Sequence, residues 1–575
     1  MSEEKKLTGY PSVDKPWLKY YTGASPASVD PNCGMWEFLQ TCSRNREHFF
    51  ALNFFGTRIS FGELFEKIDR AACALYALGV KSGDIVSVCP LNTPEFVVLL
   101  YAINKIGAIS NWIGLTSPVS DLHEQLTSTN SRVVFTVSLA YPQIAEAARN
   151  SAVEKIVTVP LEASMPLLMK TALAVKNRRL NRSGIAWRDF LKGAADAAEP
   201  AEIRPTDTAL IEYTGGSTGV PKGVMLSNKA MNSYFINFLS LNQCGITCYE
   251  ERDSFLFGVP LFLAFGVSTC CHGPLCQSME LVLAPDPNPE AGTKIIFKSK
   301  TNHIIAGRLL IEMLVETARK ENADLAFIRS VMYGGEETNK VWENAVTEQL
   351  RAHHGNVPLL NGYGMTETSA AILVAPDNET DGLIPFGNVN VKITDPDDAA
   401  TEYGYDTEGE LCLSADTLMN GYFGNDKETE DVLFEQDGVR WLKTHDLATI
   451  SPDGVIKITG RIKRIYSRLT SDKIQIRVYP MRIEEALMKN EIVQECAVVG
   501  VKDDVLAYRS VAYIRPSEKD INREEAKTRL DAYCKANLPD SHWPDEFHFV
   551  DSFPITRAGK VDYRALEAMA AKNGK

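Results

Sequence analysis

The sequence predicts an α/β protein with one large domain and a smaller one following it. Three observations predict this. Helical and strand-like segments alternate through the N-terminal part, the pattern of a largely parallel sheet. The chain of 575 residues, 45% hydrophobic and 23% charged, is globular and too long to organise around one core. An apolar run, Ala209-Leu210-Ile211, is followed by the densest gathering of glycines and hydroxyls in the chain, Tyr213 to Gly223, as expected of a ligand-holding loop after a strand.

Taken in order, Ser60-Phe61-Gly62-Glu63-Leu64 opens a helix on which Leu64, Ile68, Ala71, Ala72, Leu75 and Leu78 share one face. Val80 to Asp84 reads as a turn and Ile85 to Cys89 as a buried strand. A second helix runs from Pro94 to about Ile106, and Val133 to Thr136 forms a later strand. The most apolar window, Phe96 to Ile109, is interrupted by Asn104 and Lys105 and is too short to span a bilayer. Met165 to Arg182 carries Met165, Leu168, Met169, Ala172, Leu173 and Val175 on one face, with Lys170, Lys176, Arg178, Arg179 and Arg182 clustered nearby. A basic amphipathic helix of this kind fits peripheral contact with a membrane, or a surface insertion docked on the domain.

The loop Thr214-Gly215-Gly216-Ser217-Thr218-Gly219-Val220-Pro221-Lys222-Gly223 reads as a phosphate cradle. Glycines let the backbone approach a ligand, hydroxyls and N–H groups donate to anionic oxygens, and Lys222 adds a positive charge. It is not an ordinary P-loop, because Lys222 sits between Pro221 and Gly223 and cannot open a helix. The stretch resembles the phosphate-binding loop of the adenylate-forming superfamily, which includes acyl-CoA synthetases, adenylation domains and beetle luciferases.

Further segments are similar to motifs of that family, in order. Pro260-Leu261-Phe262-Leu263-Ala264-Phe265-Gly266 stands where acyl-CoA synthetases have Pro-Leu-Phe-His-x-x-Gly, so Leu263 replaces a histidine beside the acyl and ATP sites. Val331 to Glu337, with Gly335, Glu336 and Glu337, resembles the segment bordering adenine. Asn361-Gly362-Tyr363-Gly364-Met365-Thr366-Glu367 offers a flat ring for a purine and, in Thr366 and Glu367, oxygens suited to phosphate and to Mg²⁺. Gly409 to Leu413 and Met419 to Tyr422 resemble the family's β-rich subdomain. Thr444-His445-Asp446 matches its Thr-Gly-Asp motif with His445 in place of glycine, and Asp446 is expected to accept from ribose hydroxyls. His445 is expected to act sterically rather than by titration.

Arg461 would contact ribose or phosphate, and Lys463 falls at the family's hinge. The resemblance therefore implies an N-terminal AMP-binding domain over 1–460, of parallel-sheet and β-rich parts, and a smaller, mobile α+β C-terminal domain over 461–575. Cys496 to Gly500 is an expected strand there and Glu524 to Asn537 a helix. Thr556-Arg557-Ala558-Gly559-Lys560 is similar to the family's C-terminal lysine loop, which makes Lys560 the expected catalytic lysine beside Thr366 and Glu367, with Glu367 holding the metal.

The implied reaction is ATP-dependent activation of a carboxylic acid as an acyl-AMP, followed by transfer to CoA. Two anions must be brought together, so positioning and preorganised positive charge carry the catalysis. The expected cofactors are ATP and Mg²⁺, with CoA as cosubstrate and an apolar or fatty acid as the small-molecule partner. The segment Arg464 to Tyr479 is longer than its counterparts and lacks their glycine, so loading of a separate acyl carrier protein is the alternative; a non-catalytic nucleotide or acyl-adenylate sensor is a third reading. A net charge of −14 argues against nucleic acid. Twelve cysteines without framework spacing fit reduced thiols and a cytoplasmic protein. Cys270-Cys271-His272 with Cys276 fits no zinc spacing and reads as core.

Overall fold

The computed structural model describes residues 7–23, 29–176, 184–194, 201–214, 221–286, 288–334, 340–469, 475–503, 505–518, 521–556 and 560–573. Helices and strands alternate as the pattern requires. The helix Phe61–Ala77 begins with a reciprocal cap: Ser60 Oγ accepts from the Glu63 N–H and the Glu63 carboxylate accepts from the Ser60 N–H. Its apolar stripe is buried along Leu64, Ile68, Ala71, Ala72 and Leu75. The strand Ile85–Cys89 and the helix Pro94–Lys105 follow where expected. That helix is buried all round, so its apolar sequence serves a core. Among the described residues no helix is long and apolar enough to cross a membrane.

Two large sheets form the N-terminal part. One runs in the order Gly421–Tyr422, Gly223–Ser227, Thr208–Tyr213, Ile109–Trp112, Ile85–Cys89, Val133–Val137, Lys155–Val159 and Ile185–Ala186. Its strands from Thr208–Tyr213 outward to Ile185–Ala186 are parallel, while Gly223–Ser227 turns back antiparallel and Gly421–Tyr422 joins it antiparallel. The second has nine strands, with a parallel centre that includes Ser330–Gly334 beside Leu359–Met365. The two sheets share one extensive core.

A six-stranded antiparallel sheet follows, containing Gly409–Ser414, Val439–Ile450 and Ile456–Arg461. Beyond Arg461, the short turn Ile462–Arg464 leads into separate cores drawn from Tyr466 onward. There a three-stranded sheet, Val493–Asp503, Ala507–Pro516 and Glu546–Phe549, packs against helices that include Arg523–Asn537. The segment Arg464 to Tyr479 is organised as an antiparallel hairpin rather than a plain loop. Tyr466–Leu469 pairs with Gln475–Val478, and residues 470–474 lie outside the described residues. Ion pairs Arg308–Glu495 (3.0 Å) and Arg482–Glu408 (2.7 Å) tie the small unit to the large one.

The expected helix over 165–182 is observed as Leu167–Lys176, starting after Pro166. Residues 177–183 lie outside the described residues. None of the twelve cysteines forms a disulfide. Cys270, Cys271 and Cys276 are buried, and His272 between them is bonded through its ring nitrogens to Tyr101 (3.0 Å) and Asn232 (3.2 Å). Burial pushes its imidazole down to about 3, so it is a neutral core group.

Candidate active site

The predicted phosphate loop connects two antiparallel strands, Thr208–Tyr213 and Gly223–Ser227. Its base is closed by reciprocal bonds: the Thr214 N–H donates to the Lys222 carbonyl (3.0 Å) and the Lys222 N–H to Thr214 Oγ1 (3.2 Å). Gly215, Gly216, Ser217, Thr218 and Gly219 lie outside the described residues, as do Gly335, Glu336 and Glu337. The strand Ser330–Gly334 leads directly to the latter group.

Lys222 projects from the closed base onto the ring of Tyr422, 4.6 Å from its centroid, and pairs with the Glu428 carboxylate. Burial and the neighbouring Lys463 cation lower its ammonium pKa, while Glu367 and Asp431 act against them. Lys463 is therefore within electrostatic reach of Lys222 at the base of the loop. Tyr422 also donates its hydroxyl to Glu367 Oε1 at 2.7 Å. These contacts arise because Gly421–Tyr422 adds as an edge strand to Gly223–Ser227, and the Met419 N–H donates to the Glu367 carbonyl (2.9 Å). Thr366 and Glu367 stand on the one-turn 3₁₀ helix Thr366–Thr368.

A second cluster gathers around Asp446, which is 5% exposed. Tyr363 donates its hydroxyl to Asp446 Oδ2 at 2.6 Å, and Arg461 donates Nε–H to Oδ1 at 2.8 Å. Tyr363 belongs to Leu359–Met365, together with Asn361, Gly362 and Gly364. Asp446 and Arg461 are opposite one another on neighbouring antiparallel strands. The Asp446 charge raises the guanidinium pKa and, after burial, the Tyr363 pKa. Gly364 stands where the strand register shifts, and a Cβ there would lie 2.0 Å from the Ala370 carbonyl oxygen, so the backbones can approach only with glycine.

His445 keeps the left-handed backbone that the glycine of the motif would take, with φ of 59°. The local strain, about 1 kcal/mol, is offset by Glu410, whose Oε1 accepts from the His445 N–H (3.0 Å) and lies 3.1 Å from Nδ1. The expectation of a steric role for His445 thus gains a specific polar partner. Thr444 Oγ1 accepts from the Asp446 N–H at 3.1 Å, fixing the carboxylate from behind.

The first cluster follows the C-terminal ends of Thr208–Tyr213 and Leu359–Met365, which pair in parallel within their sheets, the edge at which open α/β sheets present ligand sites, and the second joins Leu359–Met365 to the antiparallel sheet. A cavity of about 220 Å³ opens at the other edge, lined by Ile85, Val133 and Lys155 at the starts of their strands. It has no part in the site. Among the described residues no three His, Cys, Asp or Glu groups gather to hold a metal. A single carboxylate such as Glu367 fits Mg²⁺, which commonly takes one or two carboxylates plus substrate phosphates.

Leu263 is half-buried at the start of the short helix Ala264–Val267, which continues as one π-helical turn, Ser268–His272. Tyr234 and Thr269 share a 2.6 Å hydrogen bond across this wall. Phe262 and Phe265 are half-buried beside it, while Tyr363 and Ala371 pack on the same core. Lys560 is exposed, on a loop closed by Thr556 N–H to the Lys560 carbonyl (2.6 Å) and Lys560 N–H to Thr556 Oγ1 (3.2 Å). Residues 557–559 lie outside the described residues.

Tyr422, Glu428 and Glu410 join the site without a role assigned from sequence. The Gly421-Tyr422 pair was a visible signal for the first; Glu428 and Glu410 carry none, because each acts only through a partner on another strand or helix.

The sequence model of the AMP-binding enzyme family matches residues 38–423, and that of the AMP-binding enzyme C-terminal domain matches residues 482–560. A long-chain-fatty-acid–CoA ligase of Bacillus subtilis (strain 168) is 25% identical, the match covering 96% of this chain and 97% of that protein. A 4-coumarate–CoA ligase 3 of Oryza sativa subsp. japonica is also 25% identical, over 90% of this chain and 88% of its own. Among solved structures, ATP-bound MatB from Rhodopseudomonas palustris superposes with a TM-score of 0.79 at 20% identity, covering 94% of this chain and 100% of that one.

Proposed function

The chain belongs to the AMP-binding enzyme family, and we propose that it is an acid:CoA ligase for an apolar, fatty-acid-like substrate. It would use ATP and Mg²⁺ to form an acyl-AMP and then pass the acyl group to CoA. The reading is supported by the meeting of the Lys222–Tyr422–Glu367 chain with the Tyr363–Asp446–Arg461 cluster, since the Glu367 charge acts on both Lys222 and Arg461. One is suited to phosphates and their metal, the other to a nucleoside. Asp446 has spare acceptor capacity for ribose hydroxyls, since a carboxylate offers about four lone-pair sites. Lys222 and the loop it closes would hold the leaving pyrophosphate, and Mg²⁺ on Glu367 would neutralise phosphate charge.

The substrate class rests on the wall around Leu263. A leucine in place of histidine removes a titratable polar group, and Phe262, Phe265 and the internally satisfied Tyr234–Thr269 pair leave a largely apolar surface. The two relatives at equal identity are named for a fatty acid and an aromatic acid, so only this local chemistry favours the former.

Lys560 would bridge the acid's carboxylate and the α-phosphate during adenylation. Its exposed position, on a unit joined at the Ile462–Arg464 turn, fits a role in one of two domain arrangements. The alternative acceptor, a carrier protein, is favoured by the Tyr466–Leu469/Gln475–Val478 hairpin that follows the hinge. Acid-dependent exchange of labelled pyrophosphate into ATP tests the activity, and a panel running from fatty to aromatic acids tests the class. Silence with every acid removes the ligase reading. Formation of an acyl-CoA, detected by mass, decides the acceptor. Lys560→Ala is expected to abolish exchange yet spare thioester formation from supplied acyl-AMP; equal loss of both would remove the two-arrangement role.

A further inference from the structure

The helix Leu167–Lys176 turns apolar side chains the wrong way for a docked surface insertion. Met165 before it is buried and Leu173 near its end packs on the main core, so the helix has an inward face already satisfied. Leu167 and Leu168 are nonetheless 75% and 85% exposed, and Met169 is exposed beside them. Adjacent large apolar groups left in water mark an interaction surface more often than a folding feature.

Charge identifies what covers it. The chain as a whole carries −14, yet between Glu162 and Asp189 no acidic residue occurs while Lys170, Lys176, Arg178, Arg179, Arg182 and Arg188 do. Basic residues are thus concentrated in the stretch of sequence that contains this helix. A soluble partner needs no such segregation. An anionic lipid surface rewards both features, apolar side chains entering the acyl boundary and lysines and arginines meeting headgroups.

We propose that the outer turn of Leu167–Lys176, led by Leu167, Leu168 and Met169, docks the protein peripherally on an anionic lipid bilayer. The attachment is interfacial, since the helix of ten residues is far shorter than a bilayer span. It goes beyond the ligase reading and does not depend on it, because binding is measured without ATP, acid or CoA.

The test is flotation of the full chain with vesicles of phosphatidylcholine alone and of phosphatidylcholine with about one third phosphatidylglycerol. Wild-type protein is expected to float with the anionic vesicles, weakly with the neutral ones, and less as salt is raised. Leu167→Ser with Leu168→Ser should reduce binding about tenfold or more, and Lys170→Glu several-fold. Both positions are exposed, so the fold should survive. Val505→Ser, at an equally exposed apolar residue elsewhere (79%), should float like wild type and serves as control. Absence of flotation, equal binding to both vesicle types, or unchanged binding by the double-serine variant overturns the proposal. So does a wild-type dimer, seen by sedimentation velocity, that the double-serine variant dissolves, which would assign the face to a second copy.

Discussion

Replacing Asp446 by asparagine tests the nucleoside half of the site with little change of shape. The carboxylate is nearly inaccessible and anchors two donors, Tyr363 at 2.6 Å and Arg461 at 2.8 Å. Asparagine keeps one acceptor oxygen and presents an NH₂ group to the other donor. Tyr363 can adapt, because a hydroxyl also accepts. Arg461 is about half exposed (45%) and can turn to water, so the charge it loses costs less than a fully buried pair would. Stability should therefore fall by only about 1–2 kcal/mol. The larger effect falls on ATP. A hydrogen bond from a ribose hydroxyl to a charged acceptor is worth about 1.5–3 kcal/mol, so Asp446→Asn should lower kcat/KM for ATP by about tenfold to about 150-fold. Acid-dependent pyrophosphate exchange with ATP and with 3′-deoxy-ATP separates this from general damage. Wild type should discriminate against the deoxy analogue, and the variant should lose most of that discrimination. A kcat/KM for ATP within about twofold of wild type, or full discrimination retained, would refute the ribose role.

Two further predictions concern groups flanking the site. Glu212, on the strand that leads into the Thr214–Lys222 loop, is fully buried; neither carboxylate oxygen has a hydrogen-bond partner among the described residues, and burial holds its pKa well above the ordinary carboxyl range. The folded protein therefore keeps a proton that the unfolded chain releases above a pH of about 4.3, so the stability this neutral carboxyl permits is lost as pH rises, by about 1.4 kcal/mol per unit until the folded pKa is reached. Glu212→Gln should raise the thermal midpoint at pH 7 and flatten its decline between pH 5 and 7, and an unchanged pH slope would show that Glu212 is ionised in the fold. At His445, glycine fits the left-handed backbone and keeps the N–H bond to Glu410, whereas alanine keeps the strain and loses the ring contact. Both variants lose the ring contact, so His445→Ala should be less stable than His445→Gly by about 1 kcal/mol; equal stability or the reverse order would mean that the left-handed backbone carries no strain.

What the sequence disclosed and what it withheld divide along the range of the interactions involved. The cap at Ser60 and Glu63, the strand Ile85–Cys89 and the helix Arg523–Asn537 are set by residues within a turn or two, and each is readable in place. Lys222, Tyr363 and Glu367 stand out as candidate ligand groups because glycines and hydroxyls surround them, and Asp446 because Thr444-His445-Asp446 resembles the Thr-Gly-Asp motif. Their partners do not. Glu428 reaches Lys222, and Tyr422 reaches Glu367, only because a two-residue strand adds to the edge of Gly223–Ser227. Nothing in Gly421-Tyr422 alone specifies which edge it joins. The same reasoning explains His445, where a departure from the motif was visible but its compensation by Glu410 lies on a neighbouring strand.

The pairing of Lys222 with Glu428 bears on how the site would accept phosphate. A cation prepared for an anionic ligand is costly to leave alone in a partly buried site, and Glu428 supplies the missing charge. Tyr422 connects the two halves of the problem, since its ring lies under the lysine and its hydroxyl is held by Glu367. In the ligase reading an incoming polyphosphate would compete with Glu428 for Lys222, and Mg²⁺ would compete with the Tyr422 hydroxyl for Glu367. Both exchanges would replace a neutralising contact by a stronger one, so neither group would have to be brought from afar on ATP binding. In that reading the phosphate half of the site would thus be preassembled on the large domain, whereas Lys560, beyond the turn that carries Lys463, would be delivered by motion about that turn.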